Sequence, residues 1–139
     1  MNTDSIWLPV VAMVLVTALV WIKLYVDRIG EMRAKRIAAQ ALDTTRAAAS
    51  RLENTNAADN FRNLFEVPVL FYVLCIAIAL TGGSTPDLVV GAWAFVALRA
   101  LHSLIQVTYN RVMHRFLVYM ASTLLLFGLW VAFFIRIAL

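Results

Sequence analysis

The sequence predicts an all-α integral membrane protein, a bundle of four helices spanning about residues 6–26, 61–82, 88–109 and 115–137. Two observations carry this reading. Of the 139 residues, 63% are hydrophobic and only 14% are charged. The apolar residues also fall into four long runs. Ser5 to Ile22 has no charge over 18 residues, and Val67 to Pro86 and Phe116 to Ile135 have none over 20 each. Leu88 to Asn110 is interrupted only by Arg99 and the titratable His102. Each run approaches the roughly 20 residues that a helix needs to cross a bilayer core. The spans use most of the chain, so one transmembrane domain over 1–139 is expected, with a long basic loop at about 27–60 and no separate soluble module.

The first run reads as a retained span rather than a cleaved leader. Its flank carries Asp4 and no Lys or Arg, and Lys23-Leu24-Tyr25 follows it in place of a small-x-small cleavage pattern. Pro9 falls in its first turn, where a missing backbone donor is tolerated. The loop from Asp27 to Asn60 is rich in Ala, Arg and Glu without Pro. It is expected to prolong the first helix, break near Asp43 to Thr45 or Ser50, and re-enter as the second span. Gly82 to Pro86 predicts a tight turn that makes spans two and three antiparallel neighbours. Cys75 lies mid-span, where a thiol in apolar surroundings is core filler rather than a nucleophile.

Basic residues set the orientation. Arg28, Arg33, Lys35, Arg36, Arg46, Arg51 and Arg62 precede the second span, and Arg111 and Arg115 lie between spans three and four. The opposite side has only Arg136, near the C-terminus. Both termini are therefore expected on the non-cytoplasmic side and both basic connections in the cytoplasm. The net charge of +4 follows from this topology and gives no support to nucleic-acid binding.

Polar stripes interrupt the apolar pattern. Asn56, Asn60, Asn63 and Glu66 follow one another at spacings of four, three and three, with Asp59 beside them and Phe61, Leu64 and Phe65 opposite. Span three carries Arg99, His102, Gln106 and Tyr109 on one face, with Ser103 and Asn110 nearby, and span four opens with Arg111, Arg115, Tyr119 and Ser122. Val89, Trp93, Phe95, Leu124 and Phe127 are left to face lipid. Asn56 to Asn60 reads as a solvated entrance, and Asn63 to Glu66 as the ligand-binding part. Arg62, Arg111 and Arg136 lie near span ends, where long side chains snorkel. Arg99 is about eleven residues into its span, too deep for a lone charge, so it is expected to face inward and pair with Glu66.

Guanidiniums at Arg99 and Arg115, with Arg33 and Arg62 available, match carboxylates. Asn63, His102, Gln106 and Tyr119 supply neutral hydrogen-bonding groups, and Glu66 suits an ammonium group. The complement is a small, polar, net-anionic ligand bearing both charges. No metal is expected, because His102 and His114 are the only histidines and no carboxylates cluster with them.

The chain resembles the membrane-associated proteins in eicosanoid and glutathione metabolism (MAPEG), in particular bacterial-type members. Asp59-Asn60-Phe61-Arg62-Asn63-Leu64-Phe65-Glu66-Val67-Pro68 is similar to the second-span Asn-x-x-Glu followed by Pro. Arg99-Ala100-Leu101-His102 is similar to the third-span Arg-x-x-His, Arg115-x-x-x-Tyr119 to the fourth-span Arg-x-x-x-Tyr, and Gly30-x-x-Arg33 to the Gly-x-x-Arg ending the first span. The spacing of Arg99 and Arg115 resembles the prostaglandin E synthase branch. The resemblance implies a homotrimer in the lipid bilayer of a bacterial inner membrane, with glutathione bound in clefts between subunits that open to the cytoplasm. It implies that Asn63, Glu66 and His102 hold the peptide, Glu66 near its ammonium, while Arg33 helps with a carboxylate. Arg99 and Gln106 complete the glutathione-binding set. It further implies that Arg115 stabilises the thiolate, that Tyr119 donates a second hydrogen bond, and that a lipophilic small-molecule substrate arrives from the bilayer.

Several positions depart from the family pattern. The Asn-Glu-Pro spacing is one residue short, and Asn56-x-x-Asp59 is a second register farther from Pro68. Asp59 stands where many members have Arg, Gln106 where a Tyr is common, and Phe116 where one branch has Ser. No eicosanoid substrate is indicated. The leading expectation is a glutathione-dependent transferase or peroxidase; the alternative is a non-catalytic relative that binds glutathione or lipid and acts through partners. A small four-span drug exporter fits poorly, since such exporters carry an essential Glu in a first span that is uncharged here until Lys23.

Overall fold

The computed structural model describes residues 6–138; Asp4 and Ser5, at the head of the first apolar run, lie outside the described residues. The described chain is all-helical, with α1 (Trp7–Lys35), α2 (Thr45–Arg51), α3 (Asn56–Asn63), α4 (Val67–Leu80), α5 (Pro86–Val107) and α6 (Val112–Ala138). A 3-10 turn at Ala39–Leu42 precedes α2. Four segments are long and apolar enough to cross a membrane: α1, the α3–α4 segment Asn56–Leu80, α5 and α6. The predicted fold class therefore holds, and the second span is built from two helices rather than one.

Pro68 accounts for that division. It has no N–H to donate to the carbonyl of Leu64, and its ring crowds that same turn. The chain between α3 and α4 leaves helical geometry, with Glu66 at φ −98°, ψ −105°. The N–H of Phe65 reaches back three residues to the Arg62 carbonyl at 2.9 Å.

α1 has 29 residues, about 43 Å at 1.5 Å per residue. It therefore outruns the roughly 30 Å hydrocarbon layer. It does not continue toward Asp43 as expected, but stops at Lys35, where Arg36 takes a left-handed conformation with φ 54°. The N–H of Ile37 then reaches the Met32 carbonyl at 2.9 Å. The reason lies in the chain that folds back over the helix end. Lys35 pairs with Glu31 at 2.7 Å and with Glu53 at 2.8 Å, and the Glu31 carboxylate accepts the N–H groups of Glu53 and Asn54. Thr44 caps α2 by accepting the N–H of Ala47 at 3.1 Å, and a second break at Leu52–Thr55 leads into α3.

The predicted turn between spans two and three is present. Gly82, with φ 65°, lets α4 end in a Schellman arrangement in which the N–H of Gly83 reaches the Ile78 carbonyl at 3.1 Å. Thr85 caps α5, and Pro86 occupies its first turn.

α5 is the centre of the bundle, packing on α6, α1 and α3. The core gathers Phe71, Leu74 and Ile78 of α4 with Ala92, Phe95 and Val96 of α5. Leu126, Leu129 and Phe133 of α6 and Met13 and Val20 of α1 close it. Phe95, expected to face lipid, is fully buried because it stacks on Phe71 with ring centroids 4.7 Å apart. Cys75 is buried in the same core. Trp93, Leu124 and Phe127 are exposed on the bundle surface, and Val89 is half-buried.

α5 packs tightly on α6 at Gly91, where an added Cβ would run into Leu129 Cδ2 and lie 3.3 Å from its Cγ. Gly91→Val should therefore overpack this contact and destabilise the protein by about 1–3 kcal/mol. Thermal unfolding in detergent reads this directly. A Leu129→Ala background should recover part of the loss, whereas equal stability of Gly91→Val and wild type would contradict the packing.

Candidate functional site

The break in the second span creates an unusual backbone group. Asn63 sits at the end of α3, and its carbonyl receives only a long contact of 3.4 Å from the N–H of Glu66. Arg99 of α5 supplies a stronger partner: its Nη2 donates to that carbonyl at 3.0 Å. Arg99 is 0% exposed, and its Cζ lies 5.5 Å from the centroid of the Tyr119 ring, within cation–π range. Its Nε and Nη1 have no hydrogen-bond partner among the described residues.

The expected Arg99–Glu66 pair does not form within this chain. Glu66 is exposed, and no ion pair within 4.0 Å joins the two among the described residues. The helical spacing that aligned Glu66 with Asn63 assumed an unbroken helix, whereas Glu66 falls in the break. Arg99 faces inward, but a freed backbone carbonyl takes the place expected for the carboxylate.

Below Arg99, one and two turns along α5, His102 and Gln106 are also buried. The Asn63 amide reaches the Gln106 side-chain oxygen at 3.2 Å, and His102 Nε2 lies 3.1 Å from the same oxygen. His102 Nδ1 is 3.2 Å from the backbone carbonyl of Arg115. A carbonyl only accepts, so Nδ1 carries a hydrogen. Turning the Gln106 and Asn63 amides end for end lets Nε2 accept and preserves every contact with a neutral ring. Through His102, α5 thus holds the first turn of α6 as well as the end of α3.

Arg115 is half-buried, and its Nη1 donates to Asn110 Oδ1 at 2.8 Å. Asn110 stands in the α5–α6 turn with φ 44° and donates its amide to Asn56 Oδ1 at 2.7 Å. Asn tolerates this left-handed geometry better than most residues. Ser103 donates to Asn60 Oδ1 at 3.2 Å, and Asn60 is fully buried. Asn56 to Asn60 is therefore a helix-to-helix seam instead of a solvated entrance. The residues meant to face water meet the polar face of α5 and the α5–α6 turn.

Six of the eight residues singled out from sequence converge: Asn63, Arg99, His102, Gln106, Arg115 and Tyr119. Tyr119 is half-buried, with its ring 5.8 Å from that of His102. Glu66 stays at the edge. Arg33 is exposed on α1 beside Ile29 and Gly30, and none of its side-chain hydrogen bonds or ion pairs within this chain reaches the other seven among the described residues. Tyr109, expected on the same stripe, lies past the end of α5, with its hydroxyl 3.2 Å from His114 Nδ1. Asn110, which positions Arg115, was visible as a polar residue after span three. Its left-handed backbone and its two partners depend on the turn.

The family model that matches the chain is that of the MAPEG family, over residues 6–135. The chain belongs to the MAPEG family. No curated protein and no solved structure matches it. Within this MAPEG chain, the seam presents two guanidiniums without an ion-paired carboxylate, so its charge favours an anionic guest. No cluster of three or more His, Cys, Asp or Glu side chains suited to a metal ion occurs among the described residues.

The two unpartnered nitrogens of Arg99 make its burial costly to folding. Arg99→Met should therefore leave the thermal midpoint in detergent close to that of wild type. Loss of the bond to the Asn63 carbonyl is offset by removal of a poorly satisfied charge. A drop of the size expected for breaking a well-paired buried charge, about 3–5 kcal/mol, would show that Arg99 serves the fold instead of a ligand.

Proposed function

We propose that this protein is a membrane-embedded glutathione-binding enzyme, a transferase or peroxidase that acts on lipophilic electrophiles. One observation carries the reading. In a MAPEG chain, Arg99 and Arg115 converge with Asn63, His102, Gln106 and Tyr119 at a seam whose deepest guanidinium lacks two partners. Glutathione has two carboxylates, one ammonium and a thiol. The carboxylates complement Arg99 and an Arg33 contributed by a neighbouring subunit of a homotrimer. Glu66, exposed at the edge, is free to meet the ammonium.

Arg115 is the proposed catalytic residue. Its Nη1 is held by Asn110, which leaves the rest of the fork to face a sulfur. A guanidinium there stabilises thiolate over thiol, so the glutathione proton leaves to water and the nucleophile forms near neutral pH. In the transferase reaction the sulfur lone pair forms a carbon–sulfur bond as the bond to the leaving group breaks, and the leaving group departs with that electron pair. Tyr119 donates a second hydrogen bond to the ligand. The site belongs to the end of the bundle that carries the basic connections, proposed as the cytoplasmic face of a bacterial inner membrane.

A second reading is a non-catalytic family member that binds glutathione or lipid and acts through partners. The Arg115–Asn110 bond favours it, since it already engages the guanidinium that would activate sulfur.

Conjugation of a generic aryl halide by detergent-purified protein, followed together with ultraviolet thiolate absorbance, separates the readings. Arg115→Ala should lower turnover by about 10²–10³-fold and remove the thiolate band while glutathione still binds. Asn110→Gly keeps the left-handed backbone and deletes only the amide. It should lower turnover by about tenfold, as expected for losing a hydrogen bond to a charged group. Binding without a thiolate band in wild type would favour the non-catalytic reading, and no glutathione binding would remove both glutathione readings.

A further inference from the structure

A second concavity lies apart from the seam, on the other side of α3. It is a cleft of about 750 Å³ enclosed by the end of α1, by α2 and by α3. Its floor is apolar, with Leu24, Leu52, Phe61 and Phe65. Its rim carries one guanidinium from each of the three helices: Arg28, Arg46 and Arg62.

The charges of this cleft are unevenly satisfied. The carboxylate of Asp27 pairs with Lys23 and also accepts from the Asn54 amide. Asp59 accepts the Thr55 hydroxyl and lies 3.6 Å from Arg62. Both carboxylates are thus engaged within the chain. By contrast, Arg28 Nε is buried without a hydrogen-bond partner, and Arg46 has no ion pair among the described residues. Snorkelling accounts for arginines spread along a span end. It does not account for three of them, from three helices, around one apolar floor.

The position of the cleft narrows the ligand. Leu24 follows Lys23, which closes the first uncharged run, and Phe65 stands two residues before Val67, where the second begins. The cleft therefore lies where two apolar runs end, at the depth of lipid phosphates. Phe65 lines it while remaining 59% exposed, so the apolar floor continues onto the lipid-facing surface.

We infer that this cleft is a binding site for an anionic phospholipid, with the phosphate held by Arg28 and Arg46 and an acyl chain running over Phe61 and Phe65. Arg62 and the hydroxyl of Thr45 complete the headgroup shell. Such a lipid would tie the folded-back loop to the membrane surface. The site shares no residue with the proposed glutathione cluster, so glutathione binding is an independent control.

Native mass spectrometry of the detergent-solubilised protein, titrated with phosphatidylglycerol, phosphatidylcholine or glycerol phosphate, tests this. Phosphatidylglycerol should bind saturably, one per chain, and at least tenfold more tightly than phosphatidylcholine. Glycerol phosphate, which has the anion without the chains, should bind far more weakly. Arg28→Gln combined with Arg46→Gln should weaken phosphatidylglycerol by roughly 25-fold, about fivefold per guanidinium. Arg51→Gln, outside the cleft, should change nothing. Helical content and glutathione binding report folding. Should the double variant misfold, Arg46→Gln alone, at an exposed position of α2, should still weaken the lipid by about fivefold. Equal binding of the two lipids, unchanged binding by the folded Arg variants, or an equal loss in Arg51→Gln would overturn the inference. Glycerol phosphate binding as tightly as the lipid would also overturn it, by showing a site for a free anion.

Discussion

The contact between the Arg99 guanidinium and the Asn63 carbonyl sets the arrangement, though not the stability, of the polar half of this bundle. A backbone carbonyl released inside a membrane-spanning segment needs a donor, because no water is at hand to supply one. Pro68 breaks the helix at the turn before it, and the Val67 N–H that would reach the Asn63 carbonyl in a continuous helix is turned away by the non-helical Glu66. A guanidinium reaching across from α5 supplies the donor and brings a full charge into the bundle. Once that charge is buried, its surroundings must be polar, and Gln106, His102, Asn63 and the face of Tyr119 provide those surroundings. The break, the buried charge and the seam are one structural decision.

The seam then acts through two turns. His102 grips the backbone of Arg115, and Asn110 grips its guanidinium, so the first turn of α6 is held at both its main chain and its side chain. Asn110 in turn leans on Asn56 at the start of α3. Arg115 therefore takes its position from α3 and α5 together. This is the rigidity that the proposed sulfur-activating role of Arg115 would need. Arg99 differs in kind. Its two unpartnered nitrogens are a strain on the fold that a carboxylate guest would relieve.

Much of this was legible in the sequence. The four uncharged runs are long enough to force four spans, and the turn at Gly82 and Pro86 follows from residues with narrow conformational meaning. Arg99 had to face inward because lipid would not tolerate it. The departures from the sequence reading have separate physical causes. The spacing that aligns Glu66 with Asn63 runs across the break at Pro68. Phe95 reads as lipid-facing in sequence because hydrophobicity does not distinguish a core residue from a lipid-facing one in a membrane protein; its partner Phe71 comes from another span. The fold-back of the loop depends on Glu31, Lys35 and Glu53, whose meeting across 22 residues has no local signature. Arg33 is a different case. It fits the family pattern, but within one chain it stands apart from the cluster, and its proposed role requires a neighbour.

The most direct measurement is an experimental structure of the protein in a lipid nanodisc with glutathione. Glutathione density is expected against α5, with a carboxylate at Nε and Nη1 of Arg99, the sulfur beside Arg115, and the Arg99 bond to the Asn63 carbonyl retained. A structure with Glu66 folded onto Arg99, an unbroken helix through residues 63–67, and no glutathione at the seam would contradict this expectation.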